Sequence, residues 1–68
     1  MKLFRFQIED GVSVICGDGS LTPAVVIRRE RYGDGQENYY VVWEDDGRRF
    51  FSWILSDDLQ PRAEEALS

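Results

Sequence analysis

Cys16 is the chain's one thiol and there is no histidine, so the usual side chains for nucleophilic and acid–base work are nearly missing. Cys16 lacks a histidine base, and nothing in its neighbourhood would lower its pKa; it reads as a small buried hydrophobe. An internal disulfide is excluded, and a structural zinc site lacks its ligand set. No glycine-rich phosphate loop and no nucleophile–base pair occurs, which argues against an enzyme and implies neither cofactor nor metal. What remains is binding chemistry. Glu44, Asp45 and Asp46 directly follow Trp43, and Phe50 stands just beyond, so an acidic rim lies beside aromatic rings and favours a cationic ligand. Arg28, Arg29 and Arg31, with Arg48 and Arg49, form a basic stripe for nucleic acid if their strands adjoin. A solvated face balanced by Glu30 and neighbouring acids explains the same arginines, and is favoured.

Strands must position these side chains, because no segment before residue 62 carries a helical period. Phe4, Phe6 and Ile8 alternate with Arg5 and Gln7 and predict a half-buried first strand, followed by a turn at Glu9-Asp10-Gly11. Val12–Cys16 is a second β-rich run, stopped by Gly17-Asp18-Gly19-Ser20. Pro23 cannot donate to a ladder, so it opens the next strand or sits on an edge. From Ala24 the chain starts apolar and ends charged at Arg31, which predicts a long bent strand. Residues 32–38 form a polar loop with an easy reversal at Gly33-Asp34-Gly35. Tyr39-Tyr40-Val41-Val42-Trp43, the Asp46-Gly47 turn and the run from Arg48 to Ile54 make a hairpin. Within it Phe51 is expected in the core, on the face opposite Phe50, and Trp53 where the strands curve. Ser56-Asp57-Asp58-Leu59 resembles one helical turn capped by the Ser56 hydroxyl. The expected architecture is all-β: an SH3-like barrel of five or six short antiparallel strands over residues 1–61. One short helical turn and a loose or frayed-helical tail over 62–68 complete it. Closing the sheet removes edges that so small an open sheet could not protect.

The segment WEDDGRRFFSWILSDDLQP, from Trp43 to Pro61, resembles the Tudor domains of PHD-finger proteins. There an aromatic-Glu-Asp-Asp turn precedes an aromatic, a Trp and a short acidic turn ending in Pro. Cys16-Gly17-Asp18-Gly19 is similar to that family's first loop. Chromo-barrel domains give a matching spacing for Tyr39, Trp43, Phe50 and Trp53, with the Trp fourteen residues after the Tyr. The resemblance covers about residues 11 to 61. It implies a non-catalytic module in which an aromatic cage holds a methylated lysine by cation–π attraction. Trp43 and Phe50 fall on two cage positions. The two supplied by the first loop fall on Cys16 and Thr22, and the hairpin-turn Trp of chromo barrels falls on Asp46, so half a cage is visible. Tyr32, Tyr39 and Tyr40 are candidates for the missing walls. The competing reading makes Trp43 and Phe50 an ordinary cross-strand pair, and the missing rings weigh towards it.

Composition sets the remaining bounds. Sixty-eight residues make one domain, and 43% hydrophobic with 31% charged residues is ordinary for a folded chain. Net charge is -5, which disfavours a general phosphate-backbone binder. The amino terminus lacks the continuous apolar stretch of a signal peptide, and no run is long enough to span a bilayer. The expectation is therefore an intracellular protein of a reducing compartment, a monomer or weak dimer. Its partner is a protein or peptide, basic or methylated, bound through Trp43, Phe50, Tyr39, Glu44, Asp45 and Asp46. The alternative is an accessory of nucleic-acid or transcription machinery, either touching nucleic acid through the arginines or mimicking DNA with its acids.

Overall fold

Strands form where β-branched and aromatic residues run between Gly- and Asp-bearing turns. The computed structural model describes residues 3–62. They hold β1 (Gly11–Ile15), β2 (Leu21–Arg31), β3 (Glu37–Asp45), β4 (Arg48–Leu55), a 3-10 turn (Ser56–Asp58) and β5 (Leu59–Pro61). All pairings are antiparallel, in the order β4-β3-β2-β1-β5. The 3-10 turn carries the chain from the β4 edge to β5, so the curled sheet returns on itself as the expected small SH3-like barrel. Phe6, Val12, Ala24, Val26, Tyr39, Val41 and Leu59 fill its interior.

Pro23 lies inside β2, opposite Ser13 of β1. Val26 donates its amide to Asp10 on the β1 side, so two-residue alternation turns the Pro23 nitrogen the other way. Pairing with β3 begins only at Val25, so the missing N–H falls where β2 is still an edge. Beyond it the ladder slips between Val26 and Arg28, leaving Ile27 as a bulge that supplies the expected bend.

Four expectations are corrected. Residues 4–8 form no strand: Phe6 is buried and Phe4 packs on the core, but the Arg5 amide donates to the Glu37 carboxylate and the Phe6 amide to the Tyr39 hydroxyl. Side chains replace a ladder there. Phe51 is not in the core but 50% exposed. The two-residue turn sets Phe50 against Trp43 and Phe51 against Val42, on the opposite, outer face. Ser56 does not cap the 3-10 turn; its hydroxyl and carbonyl accept from the Arg5 guanidinium. Arg62 is not loose, since its guanidinium donates to the Ala24 carbonyl and lies over Gly11, where a Cβ would meet it at 3.0 Å. The rest of the expected tail, 63–68, lies outside the described residues.

Candidate functional site at the barrel rim

Residues that pair across strands share a face, so β3 sorts its side chains in two sets. Tyr39, Val41 and Trp43 face inward; Tyr40, Val42 and Glu44 face out. Inward-facing Trp43 is the last of its set. It reaches the rim where the β1–β2 turn and the β3–β4 hairpin emerge, and is half-buried against the core. Its partner Phe50 is 39% exposed. The two rings stack with centroids 5.8 Å apart and planes 21° from parallel. Stacked on each other they make one wall, not two walls facing across a gap.

Cys16 and Thr22 lie at the same end of the barrel. The register points Thr22, paired with Val14, to the inner face. The Cys16 sulfur sits 3.3 Å from the Thr22 hydroxyl, so a thiol and a hydroxyl satisfy each other where the resemblance would set rings. None of the tyrosines completes the enclosure. Tyr39 faces inward but four residues back along β3, about 13 Å of strand, and its ring is fully buried. Tyr40 faces out, and Tyr32 accepts a hydrogen bond from Asn38 in the β2–β3 loop at the far end.

The acidic residues are placed as the spacing suggests. Glu44, Asp45 and Asp46 run from the end of β3 into the turn, and all are exposed. Asp46 and Gly47 both adopt positive φ, 53° and 76°, the backbone of a type I′ hairpin turn. Glu44 meets Arg49 at 3.5 Å, with both side chains two-thirds exposed, a pairing that solvent weakens. Asp45 and Asp46 have no ion-pair partner among the described residues.

The arginines form no stripe. β3 separates β2 from β4, so the two groups of arginines are not on neighbouring strands. Arg28 is exposed on the outer face opposite Tyr40. Arg29 and Arg31 bend towards the far end, their guanidiniums 4.4 and 4.2 Å from the Phe4 ring centre. Arg29 donates to the Phe6 carbonyl and the Gln7 side chain, and Arg31 forms an ion pair with Glu37 at 3.1 Å. Arg48 and Arg49 sit at the hairpin.

That far end holds a polar node that sequence reasoning missed. The Tyr39 hydroxyl donates to Glu37, which also accepts from the Arg5 amide and from Arg31. These donors, Tyr39 foremost, hold the Glu37 carboxyl at about 2. Burial and the adjacent carboxylate push the Tyr39 hydroxyl up. A second unforeseen feature is the outer face, where Tyr40 stacks on Phe51 and tilts against Trp53, 41% exposed. Beside it a groove of about 460 Å³ is lined by Val25, Ile27, Val42, Phe51, Arg49 and Arg62 among others. The Asp-Gly turn, by fixing parity, was the signal that would have found this face.

Among the described residues no group of three or more His, Cys, Asp or Glu side chains gathers to hold a metal. A rim of stacked rings and exposed carboxylates offers a binding surface for a cation. The family model for the Tudor-knot, described as the RNA binding activity-knot of a chromodomain, matches residues 8–61. The chain belongs to the Tudor-knot family. It is thus a chromodomain-like binding module, and the resemblance read from Trp43 to Pro61 holds at the level of family and fold. No curated protein and no solved structure matches the chain.

Proposed function

We propose that this Tudor-knot barrel binds basic peptide segments at its rim, laying an Arg or Lys side chain on the Trp43–Phe50 wall. One observation carries the reading: a stack of half-buried Trp43 and exposed Phe50 runs directly into three exposed carboxylates on the same hairpin. The ring faces attract a cation, and the carboxylates add attraction that reaches about one Debye length. An open wall lets water reach the bound group, so binding is weak and salt-sensitive. It also discriminates little between methylated and unmodified lysine. Exposed cation–π contacts contribute about 0.5–1 kcal/mol, so the two forms differ by less than about fivefold. The test is an NMR titration of the labelled protein with Arg- and Lys-bearing peptides, in both methylation states. Shifts are expected at the Trp43 indole and the 44–46 amides, and Trp43→Ala should abolish them while the remaining spectrum stays dispersed. Unchanged affinity in a folded Trp43→Ala protein rules the site out.

A second reading has its own support. The family description names RNA binding, and the outer face sets the Tyr40, Phe51 and Trp53 rings beside Arg28 and Arg49, the ingredients of a stacking surface for single strands. Retardation of short single-stranded RNA that falls steeply with salt and is lost on Trp53→Ala would favour it over the rim. The net charge of -5 weighs against it.

A further inference from the structure

β4 is the outermost strand of the sheet and its most exposed. The two-residue turn closes on the Asp45–Arg48 pair, so Arg48, Phe50, Ser52 and Ile54 turn their amides and carbonyls towards β3. Arg49, Phe51, Trp53 and Leu55 then turn theirs to the free edge. No described residue forms a backbone hydrogen bond along that edge. Natural barrels blunt such an edge with Lys, Pro, a bulge or very short length. β4 is eight residues long, and the run Phe50-Phe51-Ser52-Trp53-Ile54-Leu55 carries neither a charge nor a proline. The side chains beside the free amides, Phe51, Trp53 and Leu55, are all exposed.

We infer that the β4 edge pairs antiparallel with the β4 edge of a second copy of this chain, joining two barrels through one continuous sheet. The charge pattern selects this occupant. Arg48 and Arg49 stand at the start of β4, and Asp57 and Asp58, both exposed, follow its end. Among the described residues Arg48, Asp57 and Asp58 have no ion-pair partner, and Arg49 has only the loose contact with Glu44. Antiparallel pairing brings the basic start of one strand to the acidic end of the other, twice by symmetry. Parallel pairing would set like charges side by side. A register centred on Ser52 matches Phe51 with Trp53 of the second copy, an aromatic cross-strand pair on each side of the axis.

The experiment combines sedimentation equilibrium with amide hydrogen exchange on the full chain, from micromolar to millimolar concentration. The average mass should climb from 7.9 kDa towards twice that value. The amides of Phe51, Trp53 and Leu55 should gain protection with concentration, whereas those of Phe50, Ser52 and Ile54 are protected throughout. Phe51→Lys, at an already exposed position, should weaken association about tenfold or more. Arg48→Glu with Arg49→Glu should abolish it, and adding Asp57→Arg with Asp58→Arg to that protein should restore it, a recovery that no defect of folding would give. Three results overturn the proposal: a mass of 7.9 kDa at every concentration, a dimer in which other amides gain protection, and failure of the double charge reversal to rescue. Protection of the odd-numbered amides only when an unrelated extended peptide is added would assign the edge to a peptide instead.

Discussion

Tyr39 shows how one side chain serves two environments. Its ring is fully buried and meets Phe6 and Phe4 edge-on, while its hydroxyl accepts the Phe6 amide and donates to Glu37. The sequence marked Tyr39 as an aromatic worth noticing but gave no sign of this role, because its partner comes from 33 residues away. Glu37 makes the arrangement sensitive to acid. Its folded value of about 2 lies below its ordinary 4.5, so ionised Glu37 favours the fold above the ordinary value. That contribution fades as pH falls towards 2. Urea midpoints should therefore drop more steeply between pH 5 and pH 2 in the natural chain than in Glu37→Gln; parallel pH profiles would remove Glu37 from the account. For Tyr39 the sign is opposite. Its raised value adds stability at neutral pH that is lost as pH rises past the usual tyrosine range.

At the scale of elements, the β3–β4 hairpin was the most legible piece, since Asp46-Gly47 names both the turn and its register. Gly47 holds φ at 76° with open space where a Cβ would go, so strain rather than collision governs substitution. Gly47→Ala should cost about 1–2 kcal/mol in a urea titration with the spectrum otherwise preserved, and a neutral result would mean that the turn relaxes to another type. The same hairpin shows where pattern failed. Phe50 to Leu55 is apolar on both faces except at Ser52, so alternation could not choose a side for Phe51, and only counting outward from the turn does so. Residues 4–8 failed for the converse reason. Their alternation is real, with Phe6 buried and Ile8 exposed, but a period of two describes any extended segment lying on a core, whether or not a neighbour offers a ladder. The bend of β2 was legible as a change from apolar to charged, whereas the Ile27 bulge behind it depends on β3 and leaves no mark of its own.

At the scale of the whole molecule, the two ends of the barrel are built by different means. The rim end carries tight turns, stacked rings and carboxylates, and it was largely readable because those residues are contiguous between 43 and 50. The opposite end is closed by Phe4, Arg5 and Phe6, gripped by Arg29, Arg31, Glu37, Tyr39 and Ser56, residues scattered along the chain. The barrel itself was foreseeable from short strands between Gly- and Asp-bearing turns, and the family match agrees, but the protection of every edge was not, since β4 keeps a free one. That match starts at residue 8, beyond Phe6. A protein trimmed to 8–61 loses one buried core ring and the half-buried ring above it, and should melt as though it carried a Phe→Ala core substitution, about 3–5 kcal/mol weaker. A trimmed chain as stable as the whole would show that the strands close that end unaided.

Phe4 to Phe6 work as a cork. Pulling it out leaves more than an empty neck: the Tyr39 hydroxyl and the Glu37 carboxylate, now lining a bare opening, would be wetted from below. A shortened form of this protein would then own a second mouth, lined by Arg29, Arg31, Glu37 and the Tyr39 hydroxyl, that the longer chain keeps stoppered. Ligands that cling to the shortened form alone should be suspected of drinking from the wrong end.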